Sequence, residues 1–123
     1  MEIIYASRKI ELECTDMKSK WKKFGGDKVI IKNLESKLNA LKEATTIKDI
    51  IALPTYRFHN LHNKDGRNLD GYFAIDVKTR KEPWRIILQP LNENIEPYNP
   101  CRIDEIAESV KRIRIMEVSR HYE

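Results

Sequence analysis

The stretch GYFAIDVKTRKEPWRIILQP, residues 71–90, decides the fold because it contains two apolar runs separated by a polar segment. Residues 71–77 and 84–88 each alternate with a period of two, the pattern of a strand whose two faces differ in their surroundings. We expect these two strands to be antiparallel neighbours in one sheet. The residues predicted to point inward are Phe73, Ile75, Val77, Trp84, Ile86 and Leu88, and those predicted to point the other way are Tyr72, Ala74, Asp76, Arg85 and Ile87.

Residues on the amino-terminal side of this stretch predict helices. The strongest helix follows Asp27, a favourable N-cap residue, and extends to about Ala44. A shorter helix is predicted over 17–24, where Gly25 and Gly26 end it. The long helix has an apolar stripe of Ile30, Ile31, Leu34, Leu38 and Leu41, and the shorter one has Met17, Trp21 and Phe24 on one face. A further short helix is predicted after Thr46, which forms a capping box with Asp49, and it ends before Pro54.

Further strands are predicted at residues 3–5, 56–62 and 114–120. Residues 7–14 leave two interpretations open, since the alternation of the segment suits a strand whereas Ser7 as an N-cap suits a helix. The strand over 56–62 has Arg57, His59 and Leu61 on one face and Phe58, Asn60 and His62 on the other. A polar loop is predicted over 63–70 and an irregular segment over 92–100. One helical stripe then contains Ile103, Ile106, Val110 and Ile113.

This order of elements predicts one α+β domain over residues 1–123, with a short N-terminal strand and helices packed on one face of an antiparallel β-sheet. The composition, with 41% hydrophobic and 34% charged residues and only 4 glycines, excludes collagen, low-complexity disorder and a disulfide scaffold. Apolar runs are too short for a membrane helix, and charged residues interrupt the first twenty positions, so we expect neither a membrane segment nor a signal peptide. We expect a cytoplasmic protein in which Cys14 and Cys101 are free thiols.

Basic residues and histidines provide the candidate chemistry. The net charge of +4 is a modest surplus that fits a protein that contacts phosphate backbones. Arg57, Lys64 and Arg67 lie near His59 in the sequence, and an imidazole transfers protons near neutral pH. Such a set suits RNA cleavage, which needs a proton acceptor, a proton donor and cations on the phosphate. The alternative is that these side chains are the solvated outer residues of a half-exposed sheet, and periodicity alone slightly favours it.

Neither a metal site nor a cofactor site is predicted. Zinc requires three or four ligands, and His59 and His62 are predicted to point to opposite faces of one strand. The sequence also lacks a phosphate-binding glycine loop and the common hydrolase and metalloprotease motifs.

Five segments resemble, in the same order, segments of HigB-type toxins of the RelE/ParE superfamily of bacterial toxin–antitoxin modules. They cover nearly the whole chain, and their order supports the resemblance more than any single motif does. The segments are YASRKIELECTD (5–16), LPTYRFHNL (53–61), GYFAIDV (71–77), PWRIILQP (83–90) and RIMEVSRHY (114–122).

The resemblance implies a RelE-like fold and a metal-independent endoribonuclease that cleaves mRNA, often on the ribosome. It favours the helical interpretation of residues 7–14, and it places RNA-binding roles on Arg57, Lys64, Arg67 and Arg120. Catalytic roles fall on His59, Arg85, His121 and Tyr122, with Arg85 on the phosphate, either histidine as base, and the other histidine or Tyr122 as acid. The family commonly ends Glu-Val-x-Asp-Tyr-His, so here histidine and tyrosine exchange places and Arg120 replaces the aspartate.

The implied partners are mRNA, the ribosome and a cognate HigA-like antitoxin with a helix-turn-helix domain, which would form a hetero-oligomer with this chain. A different class of function is a ParE-like toxin that inhibits DNA gyrase by protein binding without cleaving RNA. Members of that class generally lack the terminal histidine and tyrosine, which favours RNA cleavage here. A plain RNA-binding module is a third possibility, but the chain has no aromatic base-stacking motif of the common modules.

Overall fold

The computed structural model describes residues 1–121, and within them the predicted α+β class is confirmed. The predicted order of a strand, several helices and four further strands is also confirmed, with one short helix before the last strand. The elements are β1 (Glu2–Tyr5), α1 (Arg8–Thr15), α2 (Met17–Lys23), α3 (Lys28–Glu43), α4 (Ile47–Ile51), a 3-10 turn (Pro54–Tyr56), β2 (His59–Asn60), β3 (Phe73–Asp76), β4 (Arg85–Leu91), α5 (Ile103–Ile106) and β5 (Arg112–Ser119).

The five strands form one sheet in the order β1-β5-β4-β3-β2. β3 and β4 pair antiparallel as predicted, with Ile75 opposite Ile86 and Asp76 opposite Arg85. The prediction of a purely antiparallel sheet is wrong, because β1 runs parallel to β5. That register sets Ile3 beside Ile113, so that apolar residues of both strands pack on the same core.

The helices pack on one face of the sheet. The stripe of α3 is buried as predicted, and Leu34 and Leu41 at its centre are fully inaccessible to solvent. They belong to one core with Phe73, Ile75, Ile86 and Leu88 of the central strands. The opposite face of the sheet carries a smaller cluster formed by Leu61, Leu69, Ala74 and Ile87. The loop between β2 and β3 therefore covers the face that the helices leave open.

Local capping explains the helical ends. Residues 7–14 begin a helix rather than a strand, because Ser7 Oγ accepts a hydrogen bond from Ile10 N at 3.2 Å. The predicted capping box of Thr46 and Asp49 begins α4. The face predicted for the second helix is only partly buried: Phe24 is in the core, but Met17 and Trp21 are 56% and 48% exposed.

Two predicted elements are wrong in extent. The strand over 56–62 is reduced to His59–Asn60, because Pro54 begins a 3-10 turn and Arg57 has a left-handed backbone with φ 49°. The helical stripe 103–113 ends at Ile106, since Ile113 belongs to β5, where it pairs with both β1 and β4. Among residues 1–121, no helix is long and apolar enough to cross a membrane.

Candidate functional site

A cleft of about 680 Å³ lies beside β2, on the side of the small apolar cluster. We call it the histidine cleft. Its floor includes Leu61 and Leu69, and its polar rim holds two of the chain's three histidines. The lining residues are Arg57, His59, Asn60, Leu61, His62, Asn63, Lys64 and Leu69.

Packing of Phe58 fixes the direction of its neighbours. The Phe58 ring stacks on Phe73 of β3 with centroids 4.9 Å apart, and Phe58 packs against the main core. Because side chains alternate along an extended backbone, His59 faces the opposite side, towards the histidine cleft. The predicted alternation of Phe58 and His59 is therefore confirmed.

The half-buried His59 ring is oriented by the backbone of Arg57. Its Nδ1 lies 2.6 Å from the Arg57 carbonyl oxygen. A carbonyl oxygen only accepts hydrogen bonds, so Nδ1 carries the proton in this contact, and the neutral ring has its lone pair at Nε2. That tautomer is the one a proton acceptor at Nε2 requires. The left-handed conformation of Arg57 thus presents a carbonyl to the imidazole.

The guanidinium of Arg57 binds the buried carboxylate of Asp76. Nε of Arg57 donates to both oxygens at 3.1 and 3.2 Å, and its NH2 lies 3.0 Å from Oδ1. Nε of Arg85 is 3.1 Å from the same oxygen. Two guanidiniums share one carboxylate, so this cluster retains one positive charge beside the histidine cleft. The ion pairs also hold Arg57 in a backbone region that residues other than glycine rarely adopt.

Arg85 has a different position from the one expected for a phosphate ligand. Its side chain is only 6% exposed, and its NH1 and NH2 groups donate to backbone carbonyls of the loop between β3 and β4. NH1 also donates to the carbonyl of Glu82. The Arg85 guanidinium therefore points into the loop between β3 and β4, where it binds backbone carbonyls, and not towards solvent. Arg85 therefore organises this loop, and its predicted role on the phosphate stays a prediction.

Lys37 anchors the same region from the helical side. Its buried Nζ donates to the carbonyls of Asp76 and Val77, each at 2.9 Å, and lies 4.6 Å from the centre of the Tyr56 ring. Burial lowers the pKa of Lys37, and the charge of Asp76 opposes that shift. Lys37 therefore connects α3 to the end of β3 and to the 3-10 turn that precedes Arg57.

His62 is the site residue that sequence reasoning missed. The predicted strand set it on the face opposite to His59, yet both line the histidine cleft. The reason is that β2 ends at Asn60, so the alternation on which the prediction depended does not extend to His62. The sequence signal for the position of His62 is the polar loop that follows it, since a strand can end before such a loop.

Lys64 and Arg67 lie across a two-residue turn at the tip of the loop. Lys64 N donates to Arg67 O at 3.3 Å, and Arg67 N donates to Lys64 O at 2.9 Å. Asp65 and Gly66 between them have φ 52° and 75°, the geometry for which Asp-Gly is favoured. Residues paired in this way extend their side chains to the same face. The turn therefore brings the two predicted RNA-binding cations together, and Lys64 reaches the histidine cleft.

Two predicted residues near the C-terminus, Arg120 and His121, lie outside the histidine cleft. His121 and Arg120 are exposed and line a groove between α1 and the end of β5, together with Trp84. Arg120 lies over the Trp84 ring at 5.6 Å. β5 and β2 are separated by three strand spacings, about 14 Å. His59 and His121 thus line separate clefts, and Tyr122 lies outside the described residues.

The described cysteines are both free thiols, Cys14 buried and Cys101 half-buried. Burial raises the pKa of Cys14 to about 12 and also raises that of Cys101. In the part of the chain that the structure describes, no three histidine, cysteine, aspartate or glutamate side chains are grouped so that they could hold a metal ion.

Comparisons with protein-family models, with curated proteins and with solved structures found no match to this chain. Inferences about its function therefore depend on its own residues and on the resemblance of its segments to HigB-type toxins.

Proposed function

We propose that this chain is an endoribonuclease toxin of the HigB type, which cleaves mRNA on the ribosome in the bacterial cytoplasm and is neutralised by an antitoxin. One observation carries the proposal: His59 and His62 line one cleft together with the cations Arg57 and Lys64. Phosphodiester cleavage needs this combination of proton transfer and positive charge.

The reaction is an attack of RNA on its own backbone. The 2′-oxygen of one nucleotide bonds to the adjacent phosphorus, and the bond from phosphorus to the 5′-oxygen of the next nucleotide breaks. One imidazole accepts the proton of the 2′-hydroxyl, and an imidazolium gives a proton to the departing 5′-oxygen. The products are a 2′,3′-cyclic phosphate and a 5′-hydroxyl, and no electrons are transferred.

The geometry supports a division of roles between the two histidines. His59 is oriented by the Arg57 carbonyl with its acceptor lone pair at Nε2, so we assign it as the base. His62 is exposed at the rim of the same cleft, so we assign it as the acid. Lys64 and the net positive charge of the Arg57, Arg85 and Asp76 cluster stabilise the charge that develops on the phosphate. The resemblance instead implies a catalytic pair of His59 with His121 or Tyr122, and the experiment below distinguishes that pair from His59 with His62.

An exposed corner of the helical layer supports a protein partner. Met17, Trp21 and Val29 are each about half exposed, and Lys18, Lys22, Lys28 and Lys32 of the same two helices are exposed as well. The sequence of α2 contains no acidic residue. We call this corner the Trp21 patch. An acidic amphipathic segment of a helix-turn-helix antitoxin would bury its apolar centre and pair with its lysines.

Induction of the chain in bacteria, followed by mapping of transcript 5′ ends, tests the ribonuclease. We expect new 5′-hydroxyl ends inside coding regions with the wild type and far fewer with His59→Ala or His62→Ala. His121→Ala is the matched control, since it removes the remaining histidine from a different groove. Loss of cleavage in His121→Ala alone would refute the pair proposed here and support the pair that the resemblance implies. Growth arrest with intact transcripts and broken DNA would refute the ribonuclease and indicate the gyrase-type alternative.

A further inference from the structure

We infer that a second cleft next to the histidine cleft binds a nucleobase of the RNA and selects bases that carry an amino group. The inference rests on the proposed function, because it concerns the same substrate. The second cleft has a volume of about 590 Å³ and shares Asn60, Leu61 and His62 with the histidine cleft. A nucleotide whose phosphate lies in the histidine cleft therefore has its base within reach of the second one. We call this second cleft the amide cleft.

The charge of the amide cleft differs from that of its neighbour. Its lining includes the side-chain amides of Asn60, Asn68 and Asn99 and the carboxylate of Asp70, and it includes no lysine or arginine. A site for phosphate would be expected to contain cations, as the histidine cleft does. Amides and a carboxylate instead match the donors and acceptors on the edge of a base.

Two tyrosines provide fixed aromatic walls. Tyr72 packs partly against the small apolar cluster, and Tyr98 packs partly against the main core. Both are half-buried, so each ring is held in place while part of it faces the cleft. Single-stranded RNA is commonly bound by stacking of unpaired bases on such aromatic side chains.

Residues 97–101 form one wall of the amide cleft, and Cys101 of this wall lies close to Gly71, just before β3. Gly71 has φ 81°, and a Cβ at that position would lie 3.5 Å from Cβ of Cys101. A bridge between Leu91 and Pro97 ties the other end of this wall to β4. The cleft therefore has two anchored sides, so a base can enter it without ordering a loose segment first.

The polar groups of the cleft are available to a ligand. Within residues 1–121, the side-chain amides of Asn60 and Asn99 form no hydrogen bond with other described groups, and both residues are exposed. Asn68 Oδ1 accepts a hydrogen bond from Asp70 N at 3.0 Å, which fixes the backbone that carries the Asp70 carboxylate. A carboxylate accepts hydrogen bonds from the amino groups of guanine, adenine or cytosine, whereas uracil has no amino group.

Binding of nucleoside 3′-monophosphates to the purified chain tests this base site without requiring cleavage. We expect guanosine 3′-monophosphate to bind about tenfold more tightly than uridine 3′-monophosphate, and to shift the NMR signals of the Asn60 and Asn99 amides. Asp70→Asn should reduce the guanosine preference to about twofold, because an amide replaces the charged acceptor. Asp65→Asn is the matched control, since Asp65 is an exposed aspartate of the same loop outside the amide cleft.

The outcomes separate the base site from the ribonuclease. Equal affinity for the two nucleotides, unshifted amide signals, or an unchanged preference in Asp70→Asn would each overturn the base site. Base discrimination in a chain that does not cleave RNA would uphold the base site and refute the ribonuclease. RNA cleavage by a chain that binds both nucleotides equally would uphold the ribonuclease and refute the base site.

Discussion

Replacement of Asp76 by asparagine should destabilise the fold strongly, because Asp76 is the only carboxylate among the described residues that pairs with Arg57 and Arg85. Asp76 is 1% exposed and Arg85 is 5% exposed, so neither group can be solvated in place. Loss of one partner leaves a buried guanidinium without its counter-charge, which typically costs 3–5 kcal/mol. Arg57 is more exposed and regains part of its hydration, so we expect the lower end, about 3 kcal/mol.

For a chain of this length, about 3 kcal/mol corresponds to a fall in the melting temperature of roughly 10 °C. Thermal and urea unfolding followed by circular dichroism measure both quantities. Asp65→Asn is the matched control, because Asp65 is exposed at a turn position that asparagine also tolerates. An Asp76→Asn variant within 0.5 kcal/mol of that control, the usual range for neutral surface changes, would refute the reasoning about the shared carboxylate.

Three further predictions concern groups outside the histidine cleft. Tyr5→Phe should stabilise the chain by about 1 kcal/mol at pH 7, because the Tyr5 hydroxyl is buried without a hydrogen-bond partner among residues 1–121. Burial, and after it the charges of Cys14 and Glu11, raises the pKa of Tyr5 from 10.0 to about 12. The folded chain therefore holds the Tyr5 proton more tightly than the unfolded chain, so the stability of the wild type falls as the pH rises from 10 to 12. Tyr5→Phe should lack that part of the alkaline loss in pH-dependent unfolding. Cys101 should react with a thiol reagent at pH 8 at least tenfold faster than Cys14, and equal rates in the native chain would contradict the burial of Cys14. Trp21→Ser should weaken binding of the proposed antitoxin at least tenfold in a chain that still folds. Ile95→Ser, an exposed apolar control on another loop, should bind like the wild type. Equal binding by both variants would remove the Trp21 patch from the interface.

The parts of the fold that the sequence predicts are those with long, regular patterns. The stripe of α3 and the alternation in β3 and β4 recur over enough positions to define which face is buried. The Thr46 cap predicts a helix start because it acts within a few residues, whereas Ser7 alone does not decide between a helix and a strand. The parallel pairing of β1 with β5 joins residues more than one hundred positions apart, and no local pattern reports such a contact.

The candidate site is predictable only in part, because its geometry depends on a turn and on a buried charge. His59, Arg57 and Lys64 were expected together, and the structure brings them to one cleft. His62 lines the same cleft as His59, because the strand ends two residues earlier than its pattern predicts. The alternation predicts Arg85 on the outer face of the sheet, and the connection between β3 and β4 supplies carbonyls that bind its guanidinium and bury it.

The central claim is that His59 and His62 together transfer the protons of RNA cleavage. The most direct measurement is the rate at which the purified chain and its His59→Ala, His62→Ala and His121→Ala variants produce 5′-hydroxyl ends on ribosomes programmed with a defined mRNA. Each of the first two substitutions should lower the rate by at least 100-fold, the lower limit usual for a general acid or base, while His121→Ala should stay within threefold of the wild type. A His62→Ala variant that cleaves at the rate of His121→Ala would contradict the claim.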